Sequence, residues 1–527
     1  MRILEVSDTP RDGWAIGKIC DAIIRNNPQI DMRFIAVHPK EVNKYADEFK
    51  ALLDEGIDLI HFHYWNSTWQ LFDFFPELKN YKTVHTHHNQ KSTLDCDWRK
   101  LNIDEHTCST STNLKKLTDA GYSNARVINF GIDLKYFQYN ENYKDQEYVG
   151  YVGRVVPWKG LKEIAWAARE NGLRVLVMGR MDKPSYWDEI PPEDQANIDW
   201  LYNNVPDKDR INAYYEMMMY VGFSSDGREE GTQGLLEAMA CGVPVITTPA
   251  GCAIDIINDG ENGLIVPFDN REALRVKIKQ LKEDKELRET LRKNAWNTIK
   301  NFNEEKMARE YYKLYTEILF GEDSVSVITP AYNCQEIDQI YEALKKQSYP
   351  IAEWLICDDN SDPNFNLKEK ASKWAQEAPF AVRYLNTGRD GYNLAMARNL
   401  GVVEAIGRWL MFLDSRLAPE PDAVENFIKN ADEKKWLFGD KGGGKKSFVE
   451  NFSFANRNDI IRFGMFNERI YKYGGMSQEI RERWMTQKKE FIFIEGAKAV
   501  ALKSSKMTNA RRQDIIEMKF LLNKINF

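Results

Sequence analysis

Short apolar, β-branched runs alternate along this chain with amphipathic helical stretches. "RILEVS", "DMRFIAV", "IDLIHFHY", "YKTVHTHH" and "ARVINFGI" carry the strand pattern, while "GKICDAIIRNN" and "STNLKKLTDAG" carry the helical one. That alternation predicts a parallel sheet with helices on both faces. The pattern restarts at "EYVGYVGRV" and continues through "GLRVLVMG", "YVGFSS", "VPVITT" and "GLIVPF", with helices such as "GLLEAMACG" between. Residues 1–145 and 146–301 are therefore expected to form two doubly wound α/β units. They would share a cleft at the carboxyl ends of their strands. A charged helical stretch closes this part, and "GEDS" at 321–324 marks a boundary. A third alternation follows in "SVSVITPAYN", "EWLICDDNSD", "FAVRYLNTG" and "GRWLMFLDS", which opens a further α/β unit over 324–527. The last hundred or so residues are less regular.

Bulk properties narrow the class. At about 150 residues per domain, 527 residues allow roughly three to four folding units. The net charge of −7 argues against a polyanion partner and gives nucleic acid little electrostatic support. No apolar run reaches the roughly 18 residues of a membrane span. "MRILEVSDTPRDG" reads as a strand, without the apolar region of a signal peptide. Seven scattered cysteines without a C-x-x-C suit a reducing, cytoplasmic setting. All seven histidines (38, 61, 63, 85, 87, 88 and 106) precede residue 107, so no later chemistry can use imidazole.

Two stretches of the first part carry candidate chemistry. "GRVVPWKG", 153–160, follows a strand and opens a helix. Gly153 allows close backbone approach. Arg154 and Lys159 place cations at a helix start, where N–H groups already favour anions. The bland alternative is a basic strand–helix turn. "EEGTQGLLEAMACGVPVITT" holds Glu229 and, after seven residues, Glu237. Carboxylates so spaced can accept hydrogen bonds from separate sets of hydroxyls on one ligand. Against that stands a solvated acidic helix start. Taken together with "NFGID" at 129–133, these segments resemble the family 4 glycosyltransferases, retaining enzymes of the two-Rossmann GT-B fold, over residues 1–320. The resemblance implies that 1–145 is the acceptor-side domain, with 302–320 as its returning helix, and that 146–301 binds the donor. It assigns Arg154 and Lys159 to the donor diphosphate. Glu229 and the loop Glu230-Gly231-Thr232 would meet the transferred sugar, Glu237 would hold the ribose, and His85 in "TVHTHH" would be the active-site histidine. Gly13-Trp14 and E-G-T-Q-G depart from the family pattern. His61 and His63 alternate on a strand. A zinc pair is conceivable there, and polar strand-tip histidines near the cleft are the expectation. Cations on the leaving diphosphate and a closed, dry cleft would need no metal.

The second part resembles the family 2 glycosyltransferases of the GT-A fold, well over 324–430. "GMFNERIYKYGGMSQEIRERW", 464–484, resembles the acceptor-side segment of the chondroitin-polymerase-like branch. The overall fold implied is a GT-B double Rossmann-like module followed by a GT-A-like α/β module. By the second resemblance Pro330-Ala331-Tyr332 line the base pocket and Asp359 contacts the base. Arg389 lies where a phosphate- or base-facing arginine sometimes stands, and Asp414 is the first acid of the D-x-D. In "MFLDSRLAPEP" Pro421 fixes the register, so Arg416 falls on the metal-binding acid and Leu417 on the next. The usual base falls on Ser477, preceded by Met476, and neither can act as a base near pH 7. Glu479 is the remaining candidate. A tightly held Mg²⁺ or Mn²⁺ is not expected. Arg416 would point at a phosphate or pair with Asp414. The module could then be catalytic without a metal, a binding module or a scaffold. "FGDKGGGKKS" tempts a phosphate-loop reading, but Lys446 stands where Ser or Thr is needed, so a loop beside the second site is expected. The basic amphipathic tail "KSSKMTNARRQDIIEMKFLLNKINF" is expected to pack as a helix, with peripheral membrane contact as the alternative.

The reading is a glycosyltransferase that moves a sugar from a nucleotide-diphosphate sugar to a glycan, glycolipid or other hydroxyl acceptor. Catalysis is placed first in the GT-B module. The rivals are a non-catalytic carbohydrate- or nucleotide-binding scaffold, and glycosylation of a modified nucleic-acid base. Intact Arg154, Lys159, Glu229 and Glu237 weigh against the scaffold.

Overall fold

The computed structural model describes residues 1–12, 15–89, 92–143, 146–201, 207–389, 393–442, 447–470 and 475–503. The Gly13-Trp14 pair, residues 443–446 of the glycine–lysine loop, residues 471–474 of the acceptor-side segment and the tail from Ser504 lie outside them.

Among the described residues three sheets organise the α/β chain. The first runs in the order Asp31–Ala36, Arg2–Ser7, Leu59–Phe62, Lys82–His87, Glu105–Cys108, Ala125–Val127. Its pairs from Leu59 onward are parallel. The second runs Leu264–Ile265, Val245–Thr247, Met217–Gly222, Tyr148–Val152, Arg174–Met178, Ile198–Leu201, parallel throughout. Parallel sheets are covered on both faces, which is why these strands read as apolar runs. Val149, Tyr151, Val175 and Val177 pack with Leu161, Ile164 and Ala168 of the helix Leu161–Glu170. In each sheet the chain order reverses once, after Arg2–Ser7 in the first and between Tyr148–Val152 and Met217–Gly222 in the second. Crevices for ligands open at such reversals. The helix Glu304–Phe320 returns to the first sheet: Asn27 Nδ2 donates to the Ala308 carbonyl at 3.0 Å, and the Tyr311 and Thr86 hydroxyls stand 3.1 Å apart.

The third sheet has eight strands, in the order Ala381–Asn386, Glu353–Asp358, Val325–Ala331, Trp409–Leu413, Phe452–Asn456, Lys435–Asp440, Glu490–Ala501, Leu417–Pro419. The first four strands are parallel, and Phe452–Asn456 then pairs antiparallel with Trp409–Leu413. Trp409, Met411 and Leu413 enter one core while Leu410 and Phe412 enter the other. Burial on both faces accounts for the unbroken apolar run that stops at Asp414.

By contact the chain forms two compact units. One is Leu4–Asn27 with Arg33–Tyr311; the other begins at Tyr312 and includes Met1–Ile3 and Pro28–Met32. Among the described residues no helix is long and apolar enough to cross a membrane.

Candidate functional site

At the reversal of the second sheet lies a half-open pocket lined by Tyr151, Lys159, Gly222, Ser224, Glu229 and Thr232 among others. Lys159 ends the short turn Pro157–Lys159 and is followed by Gly160, whose φ of +62° starts the helix Leu161–Glu170. Gly153, at φ +134°, folds back so that a Cβ there would lie 3.5 Å from the Lys159 Nζ. The Lys159 ammonium stands 3.1 and 3.2 Å from the two Glu229 carboxylate oxygens. A cation and an acid thus share the floor of one pocket. That pairing suits a ligand that carries both anionic phosphate and sugar hydroxyls.

The other expected donor residues do not all join them. Arg154 is exposed, 3.6 Å from Asp182 and over the Trp158 ring at 5.8 Å, and does not line the pocket. Glu230 is buried and faces away from the pocket. It accepts the Ser109 backbone N–H at 2.9 Å and hydroxyls of Ser109 and Thr110 at 3.1–3.2 Å. Burial pushes its carboxyl up to about 7 against those donors. The structure does not place Glu230 on this pocket: it ties the second sheet's loop to the end of the strand Glu105–Cys108. Gly231 has its own reason to be glycine, because a Cβ would fall 2.2 Å from the Phe130 ring. Thr232 lines the pocket at the start of the helix Gln233–Ala240. Glu237, on that helix, is buried and held by Arg210 and by the Tyr214 hydroxyl at 2.6 Å. Glu237 does not line the pocket.

His85 does not line this pocket either. It is buried on the strand Lys82–His87 with its ring 4.1 Å from that of Trp98, and neither nitrogen has a hydrogen-bond partner among the described residues. The histidine at the strand's mouth is His88, one residue past its end. Its ring stacks on Phe130 at 5.4 Å, and its Nε2 stands 3.1 Å from His63 Nδ1. His63 Nε2 in turn is 2.6 Å from Glu5 Oε2, so a line of groups leads from a buried carboxylate to His88. The signal for His88 was its position: strand ends, not strand interiors, face the cleft of an open α/β sheet. His61 is buried within the strand Leu59–Phe62, and His63, one residue past its end as expected for a strand tip, is buried as well. His61 bonds Thr86 at 2.6 Å and Glu5 at 3.3 Å, and burial pulls it down to about 4.

In the second module the tip after Trp409–Leu413 is closed by a fork. Arg416 Nε and Nη2 each donate to Asp414 at 2.9 Å, and the Arg416 N–H donates at 3.1 Å. Burial would raise the Asp414 carboxyl, but the Arg416 guanidinium holds it below its ordinary value. Of the two orientations open to Arg416, the pairing is the one observed. Pro330 is in the strand Val325–Ala331, opposite Cys357, and Tyr332 is exposed. Asp359 is buried; it accepts the Asn393 N–H and the Thr387 hydroxyl, and burial raises its carboxyl. Arg389 is exposed, its Nη1 3.7 Å from Met396 Sδ. Glu479 is not a free base. It is buried and forked by Arg483 at 2.9 and 3.1 Å, an i, i+4 pair on the helix Met476–Thr486. The acid that the sequence did not reveal is Glu450. It is buried, accepts from Arg398 Nη1 at 2.8 Å and from the Ser477 hydroxyl, and so brings a carboxylate to the expected base position from elsewhere in the chain. Lys441, whose ammonium is lowered by burial, feels the charges of Glu450, Asp414, Arg398 and Arg416.

Comparison with known proteins names the class. This chain is a glycosyltransferase. It carries a module of the family Glycosyl transferases group 1, matched over residues 133–298, followed by one of Glycosyl transferase family 2, matched over residues 326–487. The capsular polysaccharide biosynthesis glycosyltransferase CapM of Staphylococcus aureus is 29% identical over 265 residues, 46% of this chain and 67% of that protein. The D-inositol 3-phosphate glycosyltransferase of Corynebacterium efficiens is 25% identical over 314 residues, 50% of this chain and 72% of that protein. Sucrose-phosphate synthase from Thermosynechococcus elongatus shares the fold at a TM-score of 0.51 and 19% identity, over 60% of this chain and 98% of that one. The activity is nucleotide-sugar-dependent sugar transfer.

Proposed function

We propose that transfer runs in the first module, from a nucleotide-diphosphate sugar held by Lys159 and Glu229 to a glycan or glycolipid acceptor. The observation that carries this reading is the Lys159–Glu229 pair on the pocket at the sheet reversal. Lys159 would leave Glu229 for the diphosphate and neutralise charge as it departs, and Glu229 would accept hydroxyls of the transferred sugar. Arg154, on its exposed turn, would reach the diphosphate only by leaving Asp182. Residues 146–301 are then the donor side, and 1–145 with 302–320 the acceptor side, where His88 faces the cleft. No metal is needed in this module, because the lysine supplies the positive charge. The acceptor class follows relatives whose names concern capsular polysaccharide and a diphospho-undecaprenol-linked sugar.

The second module, 324–527, is read as an acceptor- or nucleotide-binding partner. Arg416 occupies the carboxylate that a Mg²⁺ or Mn²⁺ ion would need. A second reading rests on Glu450 beside Ser477, which would supply the base of a second, metal-independent transfer. The test is turnover of a nucleotide-sugar panel by the wild type, Lys159→Ala and Glu450→Gln. Loss in Lys159→Ala with turnover intact in Glu450→Gln supports the first reading; the reverse pattern supports the second.

A further inference from the structure

Away from the donor pocket, three imidazoles meet on one face of the first sheet. Strand geometry brings them there. His85 and His87 are two residues apart on Lys82–His87 and so share a face. His85 lies directly opposite His106 on the neighbouring strand Glu105–Cys108. One ligand atom from each of the three lies within 4.8 Å of the others. His87 Nε2 and His106 Nδ1 share a hydrogen bond at 3.1 Å, which an ion would replace; that separation is close to the roughly 3.3 Å that two nitrogens keep on one tetrahedral zinc at about 2.05 Å.

The site has the marks of a built one. All three side chains are buried, at 1% to 3% exposure. Both nitrogens of His85 lack a hydrogen-bond partner among the described residues, although buried polar atoms are nearly always paired. Trp98 roofs the group, with its ring 4.1 Å from His85, 5.1 Å from His87 and 5.9 Å from His106; Tyr122 lies 5.2 Å from His106. An imidazole-only donor set suits first-row transition ions and not Mg²⁺ or Ca²⁺. The nearby group Glu5, Cys20 and His63 is also compact, but among the described residues neither Glu5 nor His63 has a buried unpartnered atom as His85 does.

We propose that His85, His87 and His106 bind one divalent first-row transition ion, zinc by ligand type, which clamps the strand Lys82–His87 to Glu105–Cys108. Three imidazoles leave a fourth position for water. None of the ligands lines the donor pocket, so the ion would act apart from donor binding.

The experiment uses the full chain without a histidine tag. Metal-stripped protein is titrated with zinc against a chromophoric chelator, and with cobalt to read the visible ligand-field spectrum. The expected result is one equivalent per chain, a nitrogen-type tetrahedral cobalt spectrum and a melting temperature that rises on zinc addition. His85→Asn and His106→Asn should lose the equivalent, and His38→Asn, which alters an exposed histidine, should keep it. Wild-type protein that takes up no zinc overturns the proposal without any variant. So does equal uptake by His85→Asn, or uptake abolished by Cys20→Ser but not by His85→Asn.

Discussion

Removing Arg416 should do two separable things. Asp414 is held by two guanidinium bonds at 2.9 Å, with side-chain exposures of 10% for the acid and 31% for the arginine. Breaking a buried pair by deleting one partner costs about 3–5 kcal/mol, and the partial exposure of Arg416 places Arg416→Ala near the lower end, about 3 kcal/mol. The pH dependence should change sign. In the wild type the Asp414 carboxyl is depressed, so its contribution is present above the ordinary aspartate range and lost as pH falls through the lowered value. In Arg416→Ala burial acts alone and raises the carboxyl, so stability should fall as pH rises. Arg416→Asp goes further and restores acid–x–acid. At about 4 Å and an effective dielectric near 20, it lifts a repulsion on the order of 4 kcal/mol per unit of cation charge. Denaturant unfolding at pH 5 and pH 8 reads the first effect, and Mn²⁺ binding by electron paramagnetic resonance reads the second. A wild type that already binds Mn²⁺ tightly, or an Arg416→Asp variant with no new Mn²⁺ site, refutes the reasoning.

Buried neutral histidines should make the chain acid-sensitive. Burial takes His61 down to about 4, so the unfolded chain binds protons first as pH falls below about 6.5, and stability drops from there toward pH 4. Melting scans across that window check it. Glu230 should act in the opposite sense, because a carboxyl raised to about 7 loses stability as pH rises from its unfolded value; Glu230→Gln should flatten that part of the profile. Glu479→Gln should cost about 1–2 kcal/mol in unfolding free energy through Arg483, yet leave sugar transfer unchanged, which a paired stability and turnover assay reads.

The alternation of strand and helix was legible because parallel strands buried on both faces have to be apolar, as Trp409–Leu413 is. The later part was less so. There the sheet turns antiparallel through Phe452–Asn456 and Lys435–Asp440, short strands without a recurring helix to frame them. At the sites, the family resemblance brought Lys159 and Glu229 to one donor, and the structure puts both on one pocket, but the sequence could not show partners. Glu237 is taken by Arg210 and Tyr214, and Glu230 by Ser109 and Thr110, contacts made across long stretches of chain. The Glu479–Arg483 pair was in principle readable as an i, i+4 spacing, and His88 as the residue just past a strand. Glu450 beside Ser477 was not readable, since the two meet only through the fold.

The central claim is that donor chemistry runs on Lys159 and Glu229 without a metal. The direct measurement is transfer from the preferred nucleotide sugar by the full chain, with and without EDTA, for the wild type, Lys159→Ala and Glu229→Gln. The account predicts turnover unchanged by EDTA and a loss of about a hundredfold in Lys159→Ala, on the order of 3 kcal/mol of transition-state stabilisation. Wild-type turnover in Lys159→Ala, or turnover abolished by EDTA and restored by Mn²⁺, would contradict it.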